Sequence, residues 1–335
     1  YGDHRALHSF PTRRSSDLVR DGRPDLIRPC ISCNEGCIGR AFAGTPATCA
    51  MNPRCGFEDG SKDIPKATAP KKVLIVGAGP GGCMAAIYAK QAGHNVEIWE
   101  KGNCVGGNAL NACKPYFKAD MHRMIVYFEE ELQRQGIGVK FYTEATPEAV
   151  KAFAPDHIIW AAGGKPIVPG SIPGLDGPNV YLATDALRDC CWVGDRVVVV
   201  GGGLVGVETA LHMDMWGKKV TCIDMAKTIP SEPGFKMNDE LMKKHMRESS
   251  VEFLPNTKLQ KVEGDVLGCK VTVEAGEEVK TIDCDTVLLA LGFTPTADAA
   301  EEYKAISPVT VIGDGAKPRK IIFAIEEAWD AVKNL

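Results

Sequence analysis

Two short apolar runs, each ending in glycines, set the pattern of this chain. Residues 73–76 (VLIV) lead into GAGPGG, and residues 197–200 (VVVV) lead into GGGLVG. A short apolar run bounded by turn residues predicts a buried strand. After the first, small and apolar residues over 81–91, with Ala85 and Ala86 facing inward, predict a helix, and residues 96–99 a second strand. Residues 121–135 carry Met124, Ile125, Phe128 and Leu132 at helical spacing. Residues 157–161 read as a strand. A second strand–helix–strand unit spans 196–224, followed by short strand-like runs at 251–254, 270–273 and 286–291. Residues 309–312 and a helix over 320–332 close the chain. The alternation predicts an α/β fold with parallel sheets, and the two strand–helix–strand units are the only internal repeat.

Residues 19–70 break this pattern. They are polar, rich in Pro and Gly, and end in a linker over 61–70 (SKDIPKATAP). With so little amphipathic pattern, ligation of a metal cluster would have to organise them. Residues 7–18 (LHSFPTRRSSDL) resemble a translated sequencing adapter, so residues 1–18 are expected to be a non-native or disordered leader on a chain truncated at its front.

The 335 residues suffice for two domains with cores. A net charge of −4 with no basic run argues against a nucleic-acid surface, and no apolar stretch is long enough to span a membrane. The 13 cysteines are an odd number scattered through α/β sequence. That suits reduced thiols in a cytoplasmic protein better than a disulfide framework. A homo-oligomer is compatible with the sequence.

The glycine turns carry the chemistry. In such a fingerprint the first glycine makes the tight turn, the second lets backbone approach a pyrophosphate, and the third lets helix pack on strand. An acid about twenty residues on meets the ribose. Gly77, Gly79, Gly82 and Glu100 fit, with Pro80 and Gly81 between, and so do Gly201, Gly203, Gly206 and Asp224. Two Rossmann-like sites would hold two dinucleotides and pass electrons between them. Asp224, with Lys227 the nearest cation and no arginine close behind, favours NADH over NADPH. Gly106-Gly107 would let backbone approach a cofactor. Glu208 could face a nicotinamide or simply favour its helix dipole. Cys30, Cys33, Cys37 and Cys49 are spaced C-x2-C-x3-C-x11-C, which suits a 4Fe–4S cubane, with zinc as the alternative. Cys113 could be a redox-active thiol or a structural one.

The run PCISCNEGC over 29–37, with Cys49 and Asn52-Pro53 after it, resembles the iron–sulfur segment of the 2,4-dienoyl-CoA reductase, enoate reductase and trimethylamine dehydrogenase group. These are old-yellow-enzyme-type NADH:flavin oxidoreductases, and the resemblance covers roughly 19–335. It implies a glutathione-reductase-like arrangement: a barrel tail and 4Fe–4S segment (19–69), an FAD domain in two parts (70–188 and 292–335), and an inserted NAD(H) domain (189–291). It further implies FAD on the first fingerprint, NAD(H) on the second, the crossovers at 161–164 and 291–295, and Gly313-Asp314 on the flavin. FMN and the catalytic residues for an alkene substrate would lie in a barrel that this chain lacks. A stand-alone disulfide reductase or NADH oxidase using Cys113, and a non-catalytic zinc and nucleotide module, are the alternatives.

Overall fold

The computed structural model describes residues 15–57, 59–231 and 236–335. Most of the expected leader therefore lies outside the described residues. Its last residues open the helix Ser15–Arg20, where Leu18 is buried.

The first fingerprint strand, β1 (Lys72–Val76), is buried along nearly its whole length. It pairs in parallel with β2 (Asn95–Trp99), which pairs with β3 (Gly138–Lys140). On its other side lies β4 (His157–Trp160). Two residues of β5 (Lys165–Pro166) and the strand β6 (Val180–Leu182) follow in the chain. The second fingerprint strand, β7 (Arg196–Val200), pairs in parallel with β8 (Lys219–Ile223), and β8 with β9 (Glu252–Leu254). Three antiparallel strands come next: β10 (Thr257–Asp265), β11 (Gly268–Ala275) and β12 (Glu278–Cys284). Then come β13 (Thr286–Leu289), β14 (Phe293–Thr294), which pairs with β5, and β15 (Val309–Val311).

The two parallel sheets have the orders β15-β4-β1-β2-β3 and β6-β13-β7-β8-β9. The repeat is thus a whole five-stranded sheet rather than one strand–helix–strand unit. The halves differ in how the third strand returns to the fourth. The helix Pro147–Phe153 makes that crossover in the first, and the antiparallel sheet in the second. Strands β10 and β12 escape the apolar pattern because β12 is exposed along most of its length and a register shift after Leu259 breaks the alternation of β10. On β11, Cys269, Val271 and Val273 alternate inward and pack with Val198, Val200, Val287 and Leu289 of the parallel sheet.

The expected helices form as Pro80–Ala92, His122–Arg134, Leu204–Met215 and Ile321–Lys333. Met124, Phe128 and Leu132 join Met84, Ile87, Ile325 and Trp329 on one face of the first sheet. The cysteine segment, expected to need metal ligation for its shape, is held by contacts of its own side chains. Ile31, Ala50 and Met51 insert into that same core. The buried-side ties are from Arg28, which donates to the Met51 carbonyl (3.1 Å), to Asn52 (3.0 Å) and to the Tyr127 hydroxyl (3.1 Å). Among the described residues no helix is long and apolar enough to cross a membrane.

Candidate functional site

The glycine turns repeat almost atom for atom. Gly77 and Gly201 adopt φ of +100° and +113°, the left-handed region that favours glycine. A side chain on Gly82 would collide with the Gly77 carbonyl oxygen, and one on Gly206 with that of Gly201. In each half an alanine methyl of the crossover, Ala161 or Ala290, stands 3.3 Å behind the same position. These contacts draw each helix down onto its strand. The middle glycines differ. A Cβ on Gly79 would meet nothing within 4 Å, and one on Gly203 only the Ser231 hydroxyl at 3.9 Å. Both residues cap their helices without a side-chain hydrogen bond, and the space beside each is open. That is a cradle for a phosphate.

The two acids also take equivalent posts. Glu100 accepts from the Ala78 N–H (2.8 Å) and the Gly102 N–H (2.6 Å). Asp224 accepts from the Gly202 N–H and from the Ala226 N–H (2.6 Å). Each thus braces the turn, and each oxygen keeps a lone pair for a ribose hydroxyl.

Around the first turn the structure gathers other expected residues. Gly106 donates to the Ala78 carbonyl (2.9 Å), and a Cβ on Gly107 would stand 3.1 Å from the Gly79 Cα. Pro80 and Gly81 start the helix. Ala324 touches both Gly81 and Gly313, which brings Gly313-Asp314 beside them. Glu327 accepts the Gly313 N–H (2.7 Å), and Asp314 that of Arg319 (3.0 Å). Burial pushes the Asp314 carboxyl up, with Glu327 adding to the rise and Arg319 opposing it.

A strap over residues 114–118 joins the halves. Lys118 donates to both oxygens of Glu208, at 2.8 and 2.9 Å. Phe117 stacks on His245 of the helix Lys236–Glu248, with centroids 4.8 Å apart, and the Tyr116 hydroxyl lies 3.1 Å from its Nδ1. Lys114 sits 3.6 Å from Asp189. Glu208 is therefore a buried ion-pair partner across the two halves, a role that spacing along the chain could not reveal. Burial pushes its carboxyl up, and Lys118 draws it back down.

The four expected cluster ligands lie on one pinned segment. Cys30 and Cys37 are exposed, and Cys33 and Cys49 half-buried. Burial pushes the Cys33 thiol up, and Cys49, Glu35 and Cys37 are close enough to add to that rise. Among the described residues no group of three or more His, Cys, Asp or Glu is placed to hold a metal ion. Ser32 donates to Asp120 (2.7 Å), Glu35 meets Lys320 (2.9 Å), and Asn238 donates to the Cys33 carbonyl (3.1 Å). Cys113 donates to the Leu110 carbonyl (3.2 Å), and burial pushes its thiol up. That is the wrong direction for a nucleophilic thiol.

Residues 71–308 match the pyridine nucleotide-disulphide oxidoreductase family. The chain belongs to that family. It is a flavin-dependent NAD(P)H oxidoreductase, and FAD and NAD(H) are the cofactors that the two open glycine turns fit. It is 35% identical over 322 residues to a cinnamate reductase of Clostridium sporogenes, covering 95% of this chain and 47% of that protein. It is likewise 35% identical to an NADH oxidase of Thermoanaerobacter brockii, covering 93% and 48%. A solved complex of 2-naphthoyl-CoA reductase with 2-naphthoyl-CoA superposes with a TM-score of 0.88 at 32% identity, over 96% of this chain and 48% of that one. The chain spans about half the length of the curated relatives it matches.

Gly79→Ala and Gly203→Ala put a methyl into open space at ordinary backbone angles, so both variants should fold. Each should weaken one dinucleotide roughly ten- to a hundredfold and spare the other, which flavin content and an NADH titration will separate. Lys118→Met strands a buried carboxylate, at a cost of roughly 3–5 kcal/mol near neutral pH. Burial raises the Glu208 carboxyl and Lys118 lowers it, so losing Lys118 raises it further; the penalty is absent while both proteins hold it protonated and grows as pH rises above the wild-type folded pKa. Denaturant curves of wild type and variant should converge in acid.

Proposed function

We propose that this chain is the electron-input half of a longer reductase. The observation that carries the reading is the doubled glycine turn, two open helix N-termini on two sheets of the same order in one chain. In this reading Gly77, Gly79, Pro80, Gly81, Gly82, Glu100, Gly106, Gly107, Gly313 and Asp314 hold FAD, on a domain made of residues 70–188 and 292–335. Gly201, Gly203, Gly206 and Asp224 hold NADH on residues 189–291. Residues 19–69 carry a 4Fe–4S cluster on Cys30, Cys33, Cys37 and Cys49. When bound, FAD takes hydride from NADH and releases electrons singly, which suits a one-electron cluster as the next carrier.

The chain's own part is positional. The helix N-termini bind pyrophosphate and the acids select ribose hydroxyls. The strap at 114–118 sets the nucleotide half against the flavin half. The cysteine segment, tied to Asp120, Asn238 and Lys320, contacts elements of both. Electrons would leave through it to FMN in a barrel outside this chain, for reduction of an activated C=C bond in an enoate or enoyl-CoA. Two relatives are named for cinnamate and 2-naphthoyl-CoA, both conjugated carbonyl compounds, which supports that substrate class. The NADH oxidase relative supports a second reading, the same input half discharging to another acceptor.

The test is an anaerobic reductive titration with iron and sulfide analysis. FAD alone takes up two electrons, and FAD with one such cluster takes up three. The chain should reach three, and Cys37→Ser should fall to two while keeping its flavin. A wild-type chain that holds flavin but no iron and stops at two electrons would remove the cluster from the proposal. A folded chain that binds no flavin would remove the proposal itself.

A further inference from the structure

The antiparallel sheet of the second half holds a pair of thiols that the electron path leaves unused. Cys269 on β11 and Cys284 on β12 are direct partners in the strand register. Their sulfurs lie 3.2 Å apart, and both residues are buried. Directly opposed residues in an antiparallel pair have Cα atoms about 4.5–5.5 Å apart. A disulfide accepts about 4.4–6.8 Å, so the backbone needs no rearrangement to bridge them.

The surroundings fix both thiols. Cys284 immediately precedes Asp285, which is locked to the start of β7. Its carboxylate accepts from the Arg196 backbone N–H (2.8 Å) and from its guanidinium (2.6 and 3.1 Å), and its own N–H donates to the Arg196 carbonyl (2.8 Å). Cys269 is held from its other side by pairing with Gly264 of β10. Neither cysteine belongs to the N-terminal cluster segment or to a glycine turn.

We propose that Cys269 and Cys284 form a redox-sensitive dithiol that a small hydroperoxide converts to a cross-strand disulfide. The balance takes two steps. The Cys269 sulfur displaces water from hydrogen peroxide and becomes a sulfenic acid, giving up its thiol proton to the leaving water. The Cys284 sulfur then attacks that sulfur and releases a second water as the S–S bond forms. The two thiols lose two electrons and the peroxide gains them. The order follows from the environment. Burial pushes both thiols up, so the reaction is slow near neutral pH and quickens as pH rises, and their mutual hydrogen bond lowers Cys269 and raises Cys284, so Cys269 ionises first. The closed loop, residues 269–284, staples β11 to β12 beside the Arg196–Asp285 anchor. Oxidation would stiffen the inserted half without touching the nucleotide turns.

The full chain with its flavin is exposed to hydrogen peroxide, quenched with catalase, unfolded in an alkylating agent and digested without reductant. The expected result is one cross-linked species joining the Cys269 and Cys284 peptides, lighter than the sum of its thiol forms by two hydrogens. A rise in melting temperature that a dithiol reductant reverses should accompany it. Cys284→Ala should show neither the species nor the rise. If that variant fails to fold, the wild-type peptide map still decides. Recovery of both peptides as separately alkylated thiols, under peroxide that oxidises the exposed Cys190, would overturn the proposal. So would a link from either cysteine to a different thiol.

Discussion

Everything functional in this chain depends on one kind of contact, a helix backbone pressed against the turn that leads into it. Gly82 lies over the Gly77 carbonyl and Gly206 over that of Gly201, with Ala161 and Ala290 closing the space behind. A side chain at either glycine would lift the helix from its strand. The helix N-terminus would no longer be aimed past Gly79 or Gly203, and the uncapped N–H groups would lose their target. The same approach lets Glu100 and Asp224 reach back to brace the turns, so binding geometry and fold stability share a cause.

The second constraint is how the two halves face each other. The Lys118–Glu208 pair is an expensive way to join domains, because the carboxylate leaves water while the ammonium stays half-buried. The cost is offset by two short hydrogen bonds and by the ring contacts of Tyr116 and Phe117 with His245. Asn238, on the same helix as His245, also grips the Cys33 carbonyl. One helix of the nucleotide half therefore touches both the strap and the cysteine segment.

Much of this was legible in the sequence. The glycine turns, their acids and the helices around them follow from local pattern, since each is a contiguous run whose physics is short-range. The five-strand order of each sheet was not legible, because β3 and β6 are three-residue strands with no pattern of their own. Strands β10 and β12 show no alternation to read, because a register shift after Leu259 interrupts β10 and β12 is exposed along most of its length. The Lys118–Glu208 and Cys269–Cys284 contacts depend on how separate segments are brought together, which residue spacing does not encode. The four cysteines are a mixed case. Their spacing pointed to a cluster, yet the segment owes its shape to Arg28, Ile31 and Met51 as well as to any metal.

The proposed function rests on hydride passing from a nicotinamide on the second glycine turn to a flavin on the first, within this chain. The most direct measurement is anaerobic rapid mixing of the flavin-loaded chain with NADH, followed at the flavin absorption band. The band should bleach at a rate that saturates with NADH and slows when the transferred hydrogen is deuterium. A folded, flavin-bound chain whose band stays unchanged under saturating NADH would contradict it.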